Sequence, residues 1–252
     1  MKRDSITVAK VRDPVRVLAA RLRLNEQRLL RDIFEWDVVN WSPALGFWAR
    51  HLDGLGESAE ALEIGARYGG LSLWLALNGA RVVCSDVAEP VDSGRDMHKR
   101  YNVAGRIRYE MIDARSIPYQ NKFDIVTFKS VLGGVRGRCG DQAQDDIIAS
   151  IHRALKPGGV LLFIENLDGC ALHRVLRQRF VKWGSTWKYL RVDEVELLFA
   201  RFASLDWITS GFAGCFGRSE GQRRVLGNLD RFLLTRFVPR SWHYVFIGVA
   251  TR

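Results

Sequence analysis

One stretch limits what this chain can fold into more than any other: Ala61-Leu62-Glu63-Ile64-Gly65-Ala66-Arg67-Tyr68-Gly69-Gly70. An apolar run ends abruptly in a turn punctuated by glycine, and an apolar helix from about Gly70 to Asn78 follows. Glycines there allow unusual dihedrals and a close approach of backbone to a ligand, while a helix start leaves N–H groups unpaired. A strand that turns this sharply into a helix opens a unit of the βαβ kind.

The rest of the chain repeats the alternation. Arg81–Ser85 reads as the next strand, ending at Asp86, and a helix follows over much of Ser93–Val103. Ile107–Ile112 and Phe123–Phe128 read as strands, and the segment from Lys129 to Val135 as a loop. Asp141–Leu155 is a helix stopped by Lys156-Pro157-Gly158-Gly159, and Val160–Ile164 is a further strand. After an interruption, Asp193–Arg201 reads as helix, Leu205–Ile208 as strand, Gly221–Phe237 as helix and His243–Val249 as the last strand. This rhythm predicts an α/β fold, a mostly parallel sheet covered by helices on both faces.

Residues 1–57 stand before the rhythm as an N-terminal helical cap. Val15 to Phe34 reads as one helix, and the aromatic segment of Trp36, Trp41, Phe47 and Trp48 is broken by Pro43 and Gly46. Residues 58–252 then form the main domain, with a basic and aromatic segment inserted at about 166–191. A length of 252 residues suits one such domain. The start shows no signal-peptide pattern, and no apolar run approaches the roughly 20 residues that cross a bilayer, so a cytoplasmic enzyme is expected. Cys84, Cys139, Cys170 and Cys215 form no CxxC pair, which argues against a disulfide framework or structural zinc. The formal charge of +10 attracts nucleic acid, anionic lipid or phosphorylated substrates without choosing among them.

Three acids fall at successive strand ends: Glu63 before the glycine loop, Asp86 after the second strand and Asp113 after the third. Any one of them could be a helix cap or a solvated side chain. In this order they read as a ligand edge, because a carboxylate at the second strand end can accept both hydroxyls of a ribose. Dinucleotide domains share the device, but the spacing here departs from G-x-G-x-x-G, since Gly65 is followed by Gly69 and Gly70.

With these residues in view, 59–165 resembles the class I S-adenosylmethionine-dependent methyltransferases. The family loop reads acidic-x-Gly-x-Gly-x-Gly, and this chain has Glu63-x-Gly65-x-Arg67-x-Gly69, with Arg67 in place of the middle glycine. Phe123-Asp124-Ile125-Val126 is similar to the family's fourth strand, and Leu155-Lys156-Pro157-Gly158-Gly159 to the turn before its fifth. The resemblance implies a Rossmann-like three-layer sandwich with a seven-stranded, mostly parallel sheet whose last strand is antiparallel. It also implies S-adenosyl-L-methionine as cofactor: Glu63 and Gly65 at its methionine end, Asp86 on the ribose, and Asp113 with Ile112 and Ala114 at the adenine. Ala66, Arg67, Gly69, Val87 and Lys129 complete the expected cofactor set.

A sulfonium methyl is already activated, so alignment and exclusion of water are what the protein must supply. A hydroxyl acceptor gains from a base, for which His51, His173 and His243 are the candidates. The segment after the fourth strand lacks the Asn/Asp-Pro-Pro-Tyr/Phe motif that the resemblance would require for adenine-N6 or glutamine methylation, and no metal is expected. Trp36 and Trp41 of the cap, with Arg177, Lys182, Trp183 and Trp187, are the expected acceptor contacts. The stretch 172–191 holds six Lys or Arg, four aromatics and no acid, which suits an anionic or lipid-linked acceptor. A small-molecule or glycan acceptor methylated at oxygen is the leading expectation. A nucleic-acid methyltransferase, a nicotinamide oxidoreductase and a non-catalytic cofactor-binding protein stay open, and the oligomeric state is unassigned.

Overall fold

In the computed structural model, which describes residues 14–52, 58–88, 92–180 and 187–252, four short helices precede the sheet. They are α1 (Pro14–Arg21), α2 (Glu26–Phe34), α3 (Val38–Trp41) and α4 (Pro43–Ala49). The single helix expected over Val15–Phe34 is therefore two. Arg23 adopts φ 54°, Leu24 N–H reaches the Ala19 carbonyl at 2.8 Å, and Asn25 caps α2 by accepting from Arg28 N–H at 2.9 Å. That combination of a left-handed residue and a backward bond ends a helix as firmly as glycine would. The expected boundary at residue 57 falls outside the described residues.

Strands and helices then alternate: β1 (Glu60–Ile64), α5 (Gly70–Leu77), β2 (Arg81–Asp86), α6 (Asp92–Arg100), β3 (Ile107–Met111) and β4 (Phe123–Lys129). Next come α7 (Leu132–Cys139), α8 (Gln142–Ala154), β5 (Leu155–Asn166), α9 (Ala171–Phe180), α10 (Val192–Leu198) and β6 (Ser204–Ser210). The chain closes with α11 (Glu220–Leu229), α12 (Thr235–Phe237) and β7 (Val245–Thr251). Two expectations are corrected here. The segment after β4 becomes helix at Leu132 rather than staying a loop. Pairing in β5 begins at Leu155, so Lys156-Pro157-Gly158-Gly159 is an irregularity inside a paired strand; the register jumps from Phe123↔Leu155 to Ile125↔Val160.

The strand order is β3-β2-β1-β4-β5-β7-β6, with β7 antiparallel to both neighbours. Alternate residues feed two cores. Ala61, Val82, Ile125, Leu162 and Ile247 meet α1, α2, α4 and α5 on one face. Leu62, Val83, Val126, Leu161 and Phe246 meet α7, α8 and α10 on the other. In α2, Leu29, Ile33 and Phe34 are fully buried, each worth about 1.5–3 kcal/mol of apolar transfer. Trp48 pins α4 to β7 by donating its indole N–H to the Gly248 carbonyl at 3.1 Å. At Gly70 a Cβ would stand 2.1 Å from the Ile33 carbonyl oxygen, so the close crossing of α2 over the start of α5 requires glycine. The N-terminal helices are thus laid directly against the glycine loop.

Candidate active site at the carboxyl ends of the strands

β1 ends in the loop, where Gly65, Arg67 and Gly69 have φ of 62°, 53° and 72°. Beneath it lies Glu63, 3% exposed, which accepts from Leu71 N–H at 3.3 Å and from Ser72 N–H and Oγ at 2.7 and 2.5 Å. Glu63 therefore caps α5 from below, satisfying donors that a helix start leaves open. Burial pushes its carboxyl up to about 7 against the pull of Ser72. Glu165, a site the sequence did not single out, repeats the device: wholly buried in β5, it accepts from Val131 and Leu132 N–H at the start of α7.

Asp86 ends β2 and accepts from Arg67 N–H at 2.9 Å and Val87 N–H at 2.7 Å; Val87 itself is exposed. Asp113 follows β3, facing solvent, and binds the Arg115 guanidinium at 2.6 Å, which holds its carboxyl below the usual range. Ile112 and Ala114 beside it are buried, and Ile112 N–H donates to the Asp86 carbonyl. Because β3, β2, β1 and β4 are neighbours, Asp113, Asp86, the glycine loop and Lys129 stand in that order along one edge.

The N-terminal helices roof this edge through Glu35-Trp36-Asp37. Glu35 and Asp37 have φ of 67° and 49°, a strained geometry for non-glycine residues. Each end of the turn is anchored. Lys129 Nζ lies 2.9 Å from the Phe34 carbonyl, 3.3 Å from Glu35 Oε1 and 4.2 Å from the Trp36 ring centroid. Arg67 approaches the other Glu35 oxygen at 3.4 Å. Burial lowers the Lys129 amine, and the Glu35 carboxylate partly restores it.

At the other end Asp37, 3% exposed, accepts from the Tyr244 hydroxyl. Asn40 Nδ2 binds the Tyr244 oxygen at 2.8 Å and Asp230 Oδ2 at 3.0 Å. Asp230, fully buried, takes the N–H groups of Ala213 and Gly214 after β6. Burial pushes Asp37 up to about 7 and raises the Tyr244 hydroxyl well above its ordinary value. Tyr244 lies between the ends of β5 and β6, its carbonyl bonded to Leu167 N–H and its N–H to the Gly211 carbonyl.

The residues expected at the acceptor are spread differently. Trp36 is half-buried over Lys129 and Arg67, whereas Trp41 is only 1% exposed and lies in the core. Arg177 is buried: it donates to the Leu167 carbonyl at 2.7 Å, and its guanidinium lies 4.0 Å from the Tyr189 ring centroid. Trp187 packs on Gly133 and Gly134, and its buried indole N–H has no partner among the described residues. Lys182 and Trp183 lie outside the described residues.

The histidines are committed elsewhere. His173 has no exposed surface; Nδ1 accepts from Cys170 N–H at 3.1 Å and Nε2 donates to the Phe212 carbonyl at 2.7 Å. His243 meets Thr209 Oγ1 at 2.8 Å through Nδ1, while its buried Nε2 has no partner among the described residues. His51 bonds the Phe47 carbonyl and faces Asp206 at 3.6 Å, on the β6 side of the sheet. A cavity of about 590 Å³ opens at the amino ends of β1–β3, away from all of these groups. Strand-end chemistry, not that volume, locates the site.

The sheet order and the row of strand-end groups are similar to those expected of the class I S-adenosylmethionine-dependent methyltransferases. Residues 62–163 match the family model described as a methyltransferase domain. Among curated proteins it is 28% identical over 159 residues to the ubiquinone/menaquinone biosynthesis C-methyltransferase UbiE of Idiomarina loihiensis, covering 57% of this chain and 61% of that one. To UbiE of Hydrogenovibrio crunogenus it is 30% identical over 141 residues, covering 52% and 53%. The chain thus spans somewhat over half the length of these relatives. Among solved structures, Haemonchus contortus phosphoethanolamine N-methyltransferase 2 in complex with S-adenosyl-L-methionine aligns at a TM-score of 0.60 and 16% identity, over 97% of this chain and 60% of that one. That likeness is one of fold.

The edge fits the family's cofactor. At Gly65 a Cβ would stand 2.7 Å from Val131 Cγ2, so the turn packs closely on Val131 and requires glycine. A carboxylate offers about four lone-pair positions. At Asp86 two are used by loop N–H groups, leaving capacity for a diol.

Proposed function

We propose that this protein transfers the methyl group of S-adenosyl-L-methionine to a small-molecule acceptor, with oxygen the favoured atom. The observation that carries the reading is the row formed by Asp113, Asp86 and the left-handed Gly65–Gly69 loop along three adjacent strand ends. In it Asp86 accepts the ribose hydroxyls, Ile112 and Ala114 wall the adenine, and the loop backbone runs under the methionine portion. The cofactor supplies an electrophilic methyl on a sulfonium centre, so the chain's own work is binding, orientation and removal of a proton. Residues before 58 act as the cap, whose strained turn presents Trp36 above the edge and shuts out water.

Asp37 is the acceptor-side base in this reading, in preference to the three histidines. Its Oδ2 is held by Tyr244, while Oδ1 has only a long 3.3 Å contact with Asn40 and is the oxygen left to take a proton. A carboxyl poised at about 7 suits proton removal near neutrality. Methylation at carbon is the second reading, favoured by relatives that are named C-methyltransferases of quinone biosynthesis; the base would serve either atom.

Two measurements test the proposal. Titration calorimetry should give tight binding of S-adenosylhomocysteine and none of NAD or NADP; preferential nicotinamide binding would defeat it. Incubation with methyl-labelled cofactor and host extract should label a small-molecule fraction, and label confined to protein or RNA would overturn the acceptor class.

A further inference from the structure

From Glu220 to Phe237 the chain forms one continuous rod: α11, a π-helical turn at Asp230–Leu234, then α12. Its inner side belongs to the site already described. Gly227 packs on Val39, and Asp230 holds the Ala213 and Gly214 amides beside Asn40 and Tyr244. Its outer side is different. Val225, Phe232 and Phe237 are 69%, 74% and 77% exposed, with Leu229 and Leu233 also open to solvent.

Their spacing makes a stripe. Val225, Leu229 and Phe232 recur at helical intervals, and the wider π turn takes up one extra residue. That extra residue sets later positions back by about 100°, so Phe237 returns to within about 20° of Val225 instead of lying about 120° away. Arginines border the stripe. Arg224, Arg231 and Arg236 are exposed and form no ion pair among the described residues. Between residues 221 and 242 the one acid is Asp230, which is fully buried. Beside the stripe a cleft of about 260 Å³ between α2, α3 and α11 is lined by Arg31, Arg224 and Arg231 over Leu30 and Val39, with one acid, Glu220, which pairs with Arg223.

We propose that this face docks the protein on an anionic phospholipid bilayer, with Phe232 and Phe237 entering the acyl boundary and Arg224 and Arg231 on headgroup phosphates. An apolar ridge flanked by cations, with no acid exposed on it, matches the polarity gradient of a lipid interface. Charge complementarity selects the anionic surface over a second copy of this chain, since a two-fold contact through the stripe would set these arginines against themselves. The cleft, whose three arginines outnumber Glu220, adds a recess of net positive charge at the margin of the ridge. No helix among the described residues is long and apolar enough to cross a membrane, so the contact is peripheral. Docking in this way would bring the β5–β7 end of the crevice to the surface where a lipid-borne acceptor resides. The inference stands on the exposed face and does not depend on methyl transfer.

Co-sedimentation of the full chain with vesicles tests it. Binding is expected to vesicles of phosphatidylglycerol and phosphatidylcholine, at least tenfold weaker to phosphatidylcholine alone, and weakened by about 0.5 M salt. The Phe232→Ser, Phe237→Ser pair should lose binding at all salt concentrations. The Arg224→Glu, Arg231→Glu pair should lose it mainly at low salt. Thermal melts and S-adenosylhomocysteine binding report that each variant is folded. Failure of the folded wild type to bind anionic vesicles overturns the proposal, as does undiminished binding by both folded pairs. A concentration-dependent dimer abolished by the phenylalanine substitutions also overturns it, assigning the stripe to a contact between copies.

Discussion

The Tyr244 hydroxyl donates to the Asp37 carboxylate, joining two residues 207 positions apart, one on the roof turn and one at the head of β7. Asn40 and Asp230 extend the contact to the amides after β6, so the roof, the sheet and the C-terminal helices meet in one buried polar knot. Such a network is stabilising only while its members stay satisfied, because low polarity raises the cost of every unpaired group.

The first prediction follows from the protonation of Asp37. Its folded pKa of about 7 stands above its ordinary 3.8, so its contribution to stability is fully present below the lower value and is lost as pH rises towards 7. Asp37→Asn has no proton to lose. Buried His98, His173 and His243, whose pKa values burial lowers, act in the opposite sense but are shared by both proteins. The difference in Tm, variant minus wild type, should therefore rise steadily from pH 4 to pH 7. A constant difference over that range would mean Asp37 is ionised throughout.

A second prediction concerns the diol site. Asp86→Ala removes a charged acceptor and also frees the Arg67 and Val87 amides that hold the loop against β2. S-adenosylhomocysteine binding should weaken by about 2 kcal/mol, tens-fold in Kd. Since Asp86 is only half-buried, Tm should change little. An unchanged Kd in the folded variant removes Asp86 from the cofactor site.

The sheet, with the glycine turn and the acids at its strand ends, was legible because local signals agree there. Apolar alternation, a glycine turn and acids at strand ends all report short-range facts, and each strand overlaps its expected place, with β5 starting five residues early. What escaped was long-range. Nothing near Tyr244 in the sequence points to Asp37, and a tyrosine before an apolar strand reads as ordinary packing. Arg177 and Trp187 looked like a rim because a basic, aromatic segment is ambiguous; only folding shows that the guanidinium turns inward to the Leu167 carbonyl. Glu165 escaped because the helix start that it holds lies 33 residues earlier in the chain, so nothing beside it in the sequence marks the contact.

The roof's other anchor gives a third prediction. Lys129 and Glu35 have side chains only 10% and 19% exposed, so removing one partner leaves the other's charge poorly compensated. Lys129→Met should cost about 3 kcal/mol and lower Tm by about 8 °C in a chain of this size. Adding Glu35→Gln should recover part of that loss, because the stranded carboxylate goes with it. Additive losses in the double variant would show that the pair is not coupled.

The last prediction isolates the backbone of the loop. Arg67 sits at φ 53°, where a side chain costs about 1–2 kcal/mol and glycine nothing. Its contacts are modest in return: the Glu35 pair is 3.4 Å long with the arginine 58% exposed, and the guanidinium lies 4.8 Å from the Tyr68 ring centroid. An exposed pair of that kind contributes about 0–1 kcal/mol. Glycine also gives the unfolded chain more freedom, worth about 0.5–1 kcal/mol against the fold. These effects nearly cancel for Arg67→Gly, so its Tm should stay within about 4 °C of wild type. Arg67→Ala loses the contacts and keeps the strain, and Arg67→Val adds a β-branched side chain that suits positive φ worst. Stability should therefore fall in the order glycine, alanine, valine, while S-adenosylhomocysteine affinity falls for valine first because the loop must shift to hold it. If valine proves as stable as glycine, the loop does not keep its left-handed turn at this residue. If Arg67→Gly is markedly less stable than wild type, the Arg67–Glu35 contact outweighs the backbone and the roof is held chiefly from the loop side.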